Sequence, residues 1–330
     1  MKHSNVSVFI PHIGCPNMCS FCNQRTISGT QTAPSADDVK KICKQAYDEI
    51  RDKKNTEIAF FGGSFTAIPR EYMTELLEAV QDFLGENGFY GIRISTRPDC
   101  IDDEILDMLK KYGVTSIELG AQSMCDDVLS ANDRGHTSAD VEKAGLLIRE
   151  KGFELGLQMM VGLYKSSAEK ERETLKKIIE IKPDTLRIYP VVILKGTKLG
   201  ELLASGEYVP LDFDEVVDLS AEILQTAENC GIRVIKCGLH ASEFVEKDML
   251  GGFYHPAFRE LCEGRIYLRE IEKLAENDCK KLIVSVPEKN LSKALGQKKC
   301  NIEHLKKLGV ELKIIAEKNQ PENLKLIERR

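Results

Sequence analysis

Short runs of β-branched, aliphatic and aromatic residues alternate with longer stretches in which apolar positions recur every three or four residues. The runs are Val6–Ile10, Glu57–Phe61, Gly91–Ser95, Ser116–Leu119, Leu155–Met160 and Thr185–Tyr189. Each predicts a buried strand. Between them the spacing predicts amphipathic helices. The first takes Ser35 as N-cap with Asp38 three residues on, and sets Val39, Ile42, Ala46 and Ile50 on one face. Others start near Pro69, Asp102 and Ser138, the last running through Val141, Ala144 and Ile148 to a stop at Gly152. Strand and helix alternate six times. That predicts an α/β fold, a full or partial parallel (β/α) barrel with functional groups at the carboxyl ends of its strands. Pattern alone leaves a doubly wound open sheet as the alternative.

After Tyr189 the chain reads as a loop from Val191 to Pro210, a helix from Asp214 to Cys230 closed by Gly231, and a strand from Ile232 to Cys237. A Gly- and His-bearing stretch follows, with His240, Gly251, Gly252 and His255. From Lys281 a fresh unit begins: strand Leu282–Val286, helix Asn290–Leu295, a turn at Gly296, helix Cys300–Leu308 and strand Glu311–Ile315. The expected division is a core over 1–240, a Gly/His-rich extension over 241–278 and a small α/β unit over 279–330. No low-complexity linker or internal repeat separates them.

A chain of 330 residues with 42% apolar content has enough for a real core, so disorder is not the default. No stretch approaches the ~20 apolar residues a membrane helix needs, and the first residues lack signal-peptide character, which places the protein in the cytoplasm without a membrane partner. In that setting a close group among the eleven cysteines points to metal binding or redox chemistry. The net charge of −6 hides an asymmetry: residues 279–330 carry +7 and the rest −13. The basic unit suits either a polyanionic partner or a solvated Lys-rich surface.

Directly after the first strand stand Cys15, Cys19 and Cys22, separated by three and then two residues. Three thiolates leave one iron of a 4Fe-4S cluster open to the amino and carboxylate groups of S-adenosylmethionine (SAM). A structural zinc site, with His12 the nearest fourth ligand, and plain buried cysteines are the alternatives. The segment resembles the radical SAM superfamily, whose Cys-x3-Cys-x-aromatic-Cys signature it matches with Phe21 as the aromatic. The resemblance implies a 4Fe-4S cluster and SAM as cofactors, a 5′-deoxyadenosyl radical from one-electron SAM cleavage, an electron donor such as ferredoxin or flavodoxin, and sensitivity to oxygen.

At the second strand end, Gly62-Gly63-Ser64 resembles the glycine-rich motif that binds the SAM amino group through backbone carbonyls, with Ser64 in place of a commoner acidic residue. Later strand ends resemble oxygen-independent coproporphyrinogen oxidase and the catalytic subunit of Elongator. That resemblance implies SAM contacts for Ser95, Gln122, Arg134 and Gln158, and an adenine-facing glycine at Gly162. An Arg reaching a carboxylate is chemically apt; Ser95 and Gln158 stand where the pattern has acidic residues. The likeness runs over roughly residues 5 to 260, through Arg187-Ile188-Tyr189-Pro190, Lys195-Gly196-Thr197 and Gly206-Glu207-Tyr208. Only about seventy residues follow, so Elongator's acetyltransferase domain is expected to be missing. Cys43, Cys100, Cys125, Cys230, Cys237, Cys262, Cys279 and Cys300 have no ligand-like spacing and read as small core residues. His240 and His255 are open to either a substrate-facing or a structural role.

Residues from Val286 to Ile302 resemble the KH domain of Nus-type transcription factors, in which a Gly-x-x-Gly loop between two helices grips about four nucleotides. Here Gly296-Gln297-Lys298-Lys299 keeps the first glycine and replaces the second by Lys. The expected function is a radical SAM enzyme acting on RNA, in particular a tRNA base. A radical SAM enzyme for a small molecule or peptide, and a non-catalytic metal- or RNA-binding protein, are the alternatives.

Overall fold

In the computed structural model, seven parallel strands lie side by side in chain order, so the sheet winds in one direction. The structure describes residues 4–11, 13, 15, 18–23, 26–27, 32–240, 242–275 and 279–330. His12, weighed above as a zinc ligand, and Gly14, Pro16 and Asn17 of the cysteine segment lie outside these. The strands are β1 (Ser4–Ile10), β2 (Thr56–Gly62), β3 (Gly91–Thr96), β4 (Val114–Gln122), β5 (Glu154–Val161) and β6 (Thr185–Pro190); after a short β7 (Val192–Leu194) comes β8 (Arg233–Cys237). The order β1-β2-β3-β4-β5-β6-β8 contains no reversal. It is therefore a partial (β/α) barrel and not a doubly wound sheet.

Helices α1 (Ala36–Glu49), α2 (Arg70–Ala79), α3 (Asp103–Lys111), α4 (Asp126–Ala131), α5 (Ser138–Glu150), α6 (Ala168–Ile181), α7 (Lys198–Ser205) and α8 (Phe213–Asn229) follow the strands. Ser35 caps α1 in a reciprocal capping box with Asp38, as its spacing predicts. The apolar face of α1 is shifted by one position from the expected one: Cys43 is 0% exposed and Ile42 is 37% exposed. At about 100° per residue, Val39, Cys43, Ala46 and Ile50 keep to one stripe and Ile42 falls at its edge.

Alternation along the strands splits the sheet into two faces. Val8, Ile58, Phe60, Ile92, Ile94, Ile117, Leu155, Leu157, Leu186 and Ile188 are buried in the outer core under the helices. The intervening positions, among them Ser7, Arg93, Glu118, Gln158, Arg187 and Lys236, turn to the concave side and are polar. No helix among the described residues is long and apolar enough to cross a membrane.

The stretch read as a loop after Tyr189 contains β7 and α7. A helix α9 (Glu243–Asp248) leads into β9 (Met249–Gly252), which pairs antiparallel with β7, and Thr197 caps α7 through the Gly200 N–H. Such short elements leave too few residues for a period to register. The later part of the 241–278 extension is a helix, α10 (Phe258–Ala275). The last unit comprises β10 (Lys281–Pro287), α11 (Leu291–Leu295), α12 (Cys300–Lys307), β11 (Glu311–Glu317) and a further strand β12 (Lys325–Arg329). β10 is central, parallel to β11 and antiparallel to β12. α10 roots this unit: Phe258 and Cys262 belong to the barrel core, whereas Leu268 and Ile271 pack with Leu282, Val284, Leu305 and Leu312.

Candidate active-site cleft

The concave face and the segment after β1 enclose a cleft of about 610 Å3. Cys15, Cys19, Cys22, Phe21, Gly62, Gly63, Ser95, Gln122, Arg134 and Gln158 all line it. The glycine pair has a local reason. Gly62 has φ +110°, and a Cβ on it would stand 2.7 Å from the Ile10 carbonyl oxygen; one on Gly63 would stand 2.1 Å from that of Ile13. Gly63 N–H donates to the Ile10 oxygen at 2.7 Å, so the end of β2 is drawn against the entry to the cysteine segment. Further along, Ser20 is fully buried; its hydroxyl donates to Asn132 Oδ1 at 2.7 Å and its carbonyl accepts from Leu199 N–H at 2.7 Å. These anchors set Cys19 and Cys22 at the wall. Sequence reasoning missed both Ser20 and Asn132, since neither type stands out by spacing.

Arg134 reaches the same wall. Its Nη1 donates to Cys19 Sγ at 3.0 Å, its Nη2 to the Gly120 carbonyl at 2.6 Å, and its guanidinium lies 5.9 Å from the Phe21 ring centre. Burial pushes the Cys15 thiol up, as does neighbouring Cys19, while Arg97, Arg134 and the Ser64 N–H pull it down. Among the described residues no three His, Cys, Asp or Glu side chains converge on one point. Cys15, Cys19 and Cys22 share the cleft wall.

Three buried polar atoms on lining residues have no partner among the described residues: Ser95 Oγ, Gln122 Oε1 and Arg134 Nε. Burying such atoms unpaired costs about 1–3 kcal/mol each. Gln122 also holds φ +65°, a left-handed backbone that costs a non-glycine residue further energy. Strain and orphaned groups gathered on one cleft lining call for a partner that a bound ligand would supply.

Other expected residues are engaged elsewhere. Ser64 Oγ bonds Thr96 Oγ1 at 2.9 Å and accepts from Arg97 N–H at 3.1 Å, tying β2 to β3 outside the cleft lining. Gly162 has φ +86° and lies against Phe253, 2.7 Å from where its Cβ would stand, outside the cleft lining. Its N–H donates to the buried Glu171, whose carboxyl burial pushes up to about 7, and its carbonyl accepts from Tyr208. Gln158 Nε2 donates to Glu118 at 2.9 Å.

Beneath the cleft runs an ion network absent from the sequence reading. Arg93 bonds Glu57, Glu118 and Glu154 at 2.7, 3.1 and 2.7 Å, and Arg187 grips Glu118 at 2.7 and 2.8 Å. Burial alone would raise the Glu118 carboxyl, but Arg187, Arg93 and Gln158 outweigh it and hold it below its ordinary value.

In the last unit, Gln297, Lys298 and Lys299 are exposed between α11 and α12. Lys298 and Lys299 hold φ of +52° and +63°, and Gly296, at φ +71°, faces Cys300 and Asn301 too closely for a Cβ. Neither lysine has an ion-pair or hydrogen-bond partner among the described residues.

Residues 9–178 match the sequence profile described as the Radical SAM superfamily, and residues 183–268 that of the Radical_SAM C-terminal domain. Elongator complex protein 3 of Saccharomyces cerevisiae is 29% identical over 254 residues, 65% of this chain and 46% of that protein. The tRNA uridine(34) acetyltransferase of Methanocaldococcus jannaschii is 29% identical over 183 residues, 49% of this chain and 34% of that protein. The chain thus spans less than half the length of either relative. Among solved structures, Elp3 of Methanocaldococcus infernus superposes with a TM-score of 0.56 at 21% identity, covering 74% of this chain and 61% of that one, a likeness of fold.

Proposed function

The chain belongs to the radical SAM superfamily, a family of enzymes that use a 4Fe-4S cluster and SAM, and from that premise we propose that it modifies RNA, with a tRNA base as substrate. When bound, the cluster and SAM supply a reducing electron and a source of the 5′-deoxyadenosyl radical. Cys15, Cys19 and Cys22 would hold three irons. The donor set fits, with three thiols on one wall and three orphaned polar atoms beside them. Arg134, held on Cys19 through Nη1 and with Nε unpaired among the described residues, would bind the SAM carboxylate, and Ser95 and Gln122 would take its remaining polar groups. Gly62 and Gly63 let backbone approach the ligand, and the paired Gln158 holds the floor. A ferredoxin- or flavodoxin-type protein would be the electron donor.

The observation that carries the RNA reading is the exposed Gln297–Lys299 loop, whose two lysines are unpartnered on a unit of charge +7 that α10 roots on the barrel. The left-handed turn between the two helices holds two exposed ammonium groups next to each other, which suits a phosphate chain. The tRNA in the name of the archaeal relative supports the same reading. Acetyl transfer is not carried over, because the match covers 34% of that relative.

Changing Lys298 and Lys299 to Ala should weaken tRNA binding and flatten the slope of log affinity against log salt by roughly 1 to 2, at ~0.7 per single-strand phosphate contact. Binding is titrated at several salt concentrations, because a merely basic surface also binds RNA weakly at low ionic strength. Unchanged affinity and slope would remove the loop from the RNA site and favour a small-molecule or peptide substrate.

A further inference from the structure

Every carboxylate of the ion network beneath the cleft is matched by a guanidinium. Glu57, Glu118 and Glu154 are bonded by Arg93, Arg187 and Arg233. Lys236 breaks the balance. It sits on β8 as the register partner of Arg187, half-buried in the cleft wall, and has no hydrogen bond or ion pair among the described residues. The two cations lie at the β8 edge, where the partial barrel stays open. Tyr189, whose hydroxyl accepts from Arg187 Nη1 at 3.5 Å, and His240 line the cleft beside them, both able to donate or accept hydrogen bonds.

We propose that Lys236, backed by the Arg187–Glu118 pair, forms a subsite at the open edge of the barrel for an oxyanion of the substrate. An ammonium kept in a cleft beside another cation has unfavourable self-energy until an anion arrives, so the subsite is poised for a phosphate or carboxylate group. Burial and Arg187 together hold the Lys236 ammonium below its ordinary value, in keeping with this want of an anion. The Arg187 guanidinium is fixed by two bonds to Glu118 and lies 5.2 Å from the Phe61 ring centre. It therefore contributes a stationary field, and Lys236 supplies the mobile donor. The subsite stands on β6 and β8, whereas the Cys19–Arg134 wall, which the cofactors take in the proposed function, rests on the segment after β1 and the end of β4. The proposal rests on that reading only in taking the cleft as the substrate's place; with RNA as substrate, the oxyanion is a phosphate next to the reacting nucleotide.

The test uses full-length protein reconstituted anaerobically and titrated by calorimetry with uridine 5′-monophosphate, uridine and succinate. The monophosphate should bind at least about tenfold more tightly than uridine, the increment of one charge-assisted hydrogen bond. Lys236→Met should erase that difference and Lys236→Arg should restore part of it. Lys236→Met should also melt no lower than wild type, since it removes an unpaired half-buried charge. Lys236-dependent binding of succinate in place of the monophosphate would support the oxyanion subsite with a carboxylate as its source. Absence of Lys236-dependent binding of either anion, or a preference for the anion that survives Lys236→Met, would overturn the proposal. So would a variant pair that both melt well below wild type, which would make Lys236 structural. None of these readouts depends on the Lys298–Lys299 loop, so failure here is distinguishable from failure of the RNA reading.

Discussion

Replacing Cys15, Cys19 and Cys22 together by Ala is expected to abolish iron and sulfide incorporation and all reductive SAM cleavage. The three thiols are the cysteines that line the cleft, and Arg134 Nη1 donates to one of them, Cys19. The contrast lies with the scattered cysteines. Cys43 is fully buried in the stripe of α1, and Cys100 and Cys125 lie outside the cleft lining. Changing any of these three singly to Ser should leave the iron content near wild type. Iron and sulfide are assayed on anaerobically reconstituted protein, alongside the spectroscopic change on adding SAM. A triple variant that kept its cluster and SAM cleavage would refute the assignment of the ligands; loss of about half the iron from a folded Cys43, Cys100 or Cys125 variant would reveal a second cluster.

Glu118→Gln should be the most destabilising single change on the inner face, costing about 3–5 kcal/mol. The carboxylate is 1% exposed and takes Arg93, two nitrogens of Arg187 and Gln158. Removing its charge leaves two guanidiniums facing each other in a poorly solvated space. Its folded-state value is depressed, so its stabilisation is present above the unfolded carboxylate range near pH ~4.3 and is lost as pH falls below it. Denaturant melts from pH 7 to 3 should therefore show wild type losing an advantage over Glu118→Gln only at the acid end. Equal stability at pH 7 would mean that the network is not a structural prop of the cleft.

The strands were legible because each run of apolar residues ends at a polar or glycine-rich turn, and the cysteine spacing stands out because few chemistries want three thiolates without a fourth. The network of Glu57, Arg93, Glu118 and Arg187 was not, although all four residues are plain in the sequence. Each sits in a different strand, and only the register of the five parallel strands β2 to β6 stacks them on one face. The same holds for Lys236, which is one lysine among many until β8 is set beside β6. Local signals served well where the cause is local, as at the Ser35 cap. They failed for the β7–β9 pair, whose strands are three and four residues long and come together only through the fold, and for Ile42, where one residue of helical phase decides exposure.

The central claim, a radical SAM enzyme that acts on RNA, is tested most directly by supplying reconstituted protein, SAM and a reductant with and without tRNA. SAM cleavage is followed together with the masses of the nucleosides after digestion. The account predicts SAM cleavage in both cases, stimulated by tRNA, and a mass-shifted nucleoside that the Lys298→Ala/Lys299→Ala variant forms poorly at physiological salt. SAM cleavage that is indifferent to RNA, with every nucleoside unchanged, would contradict it.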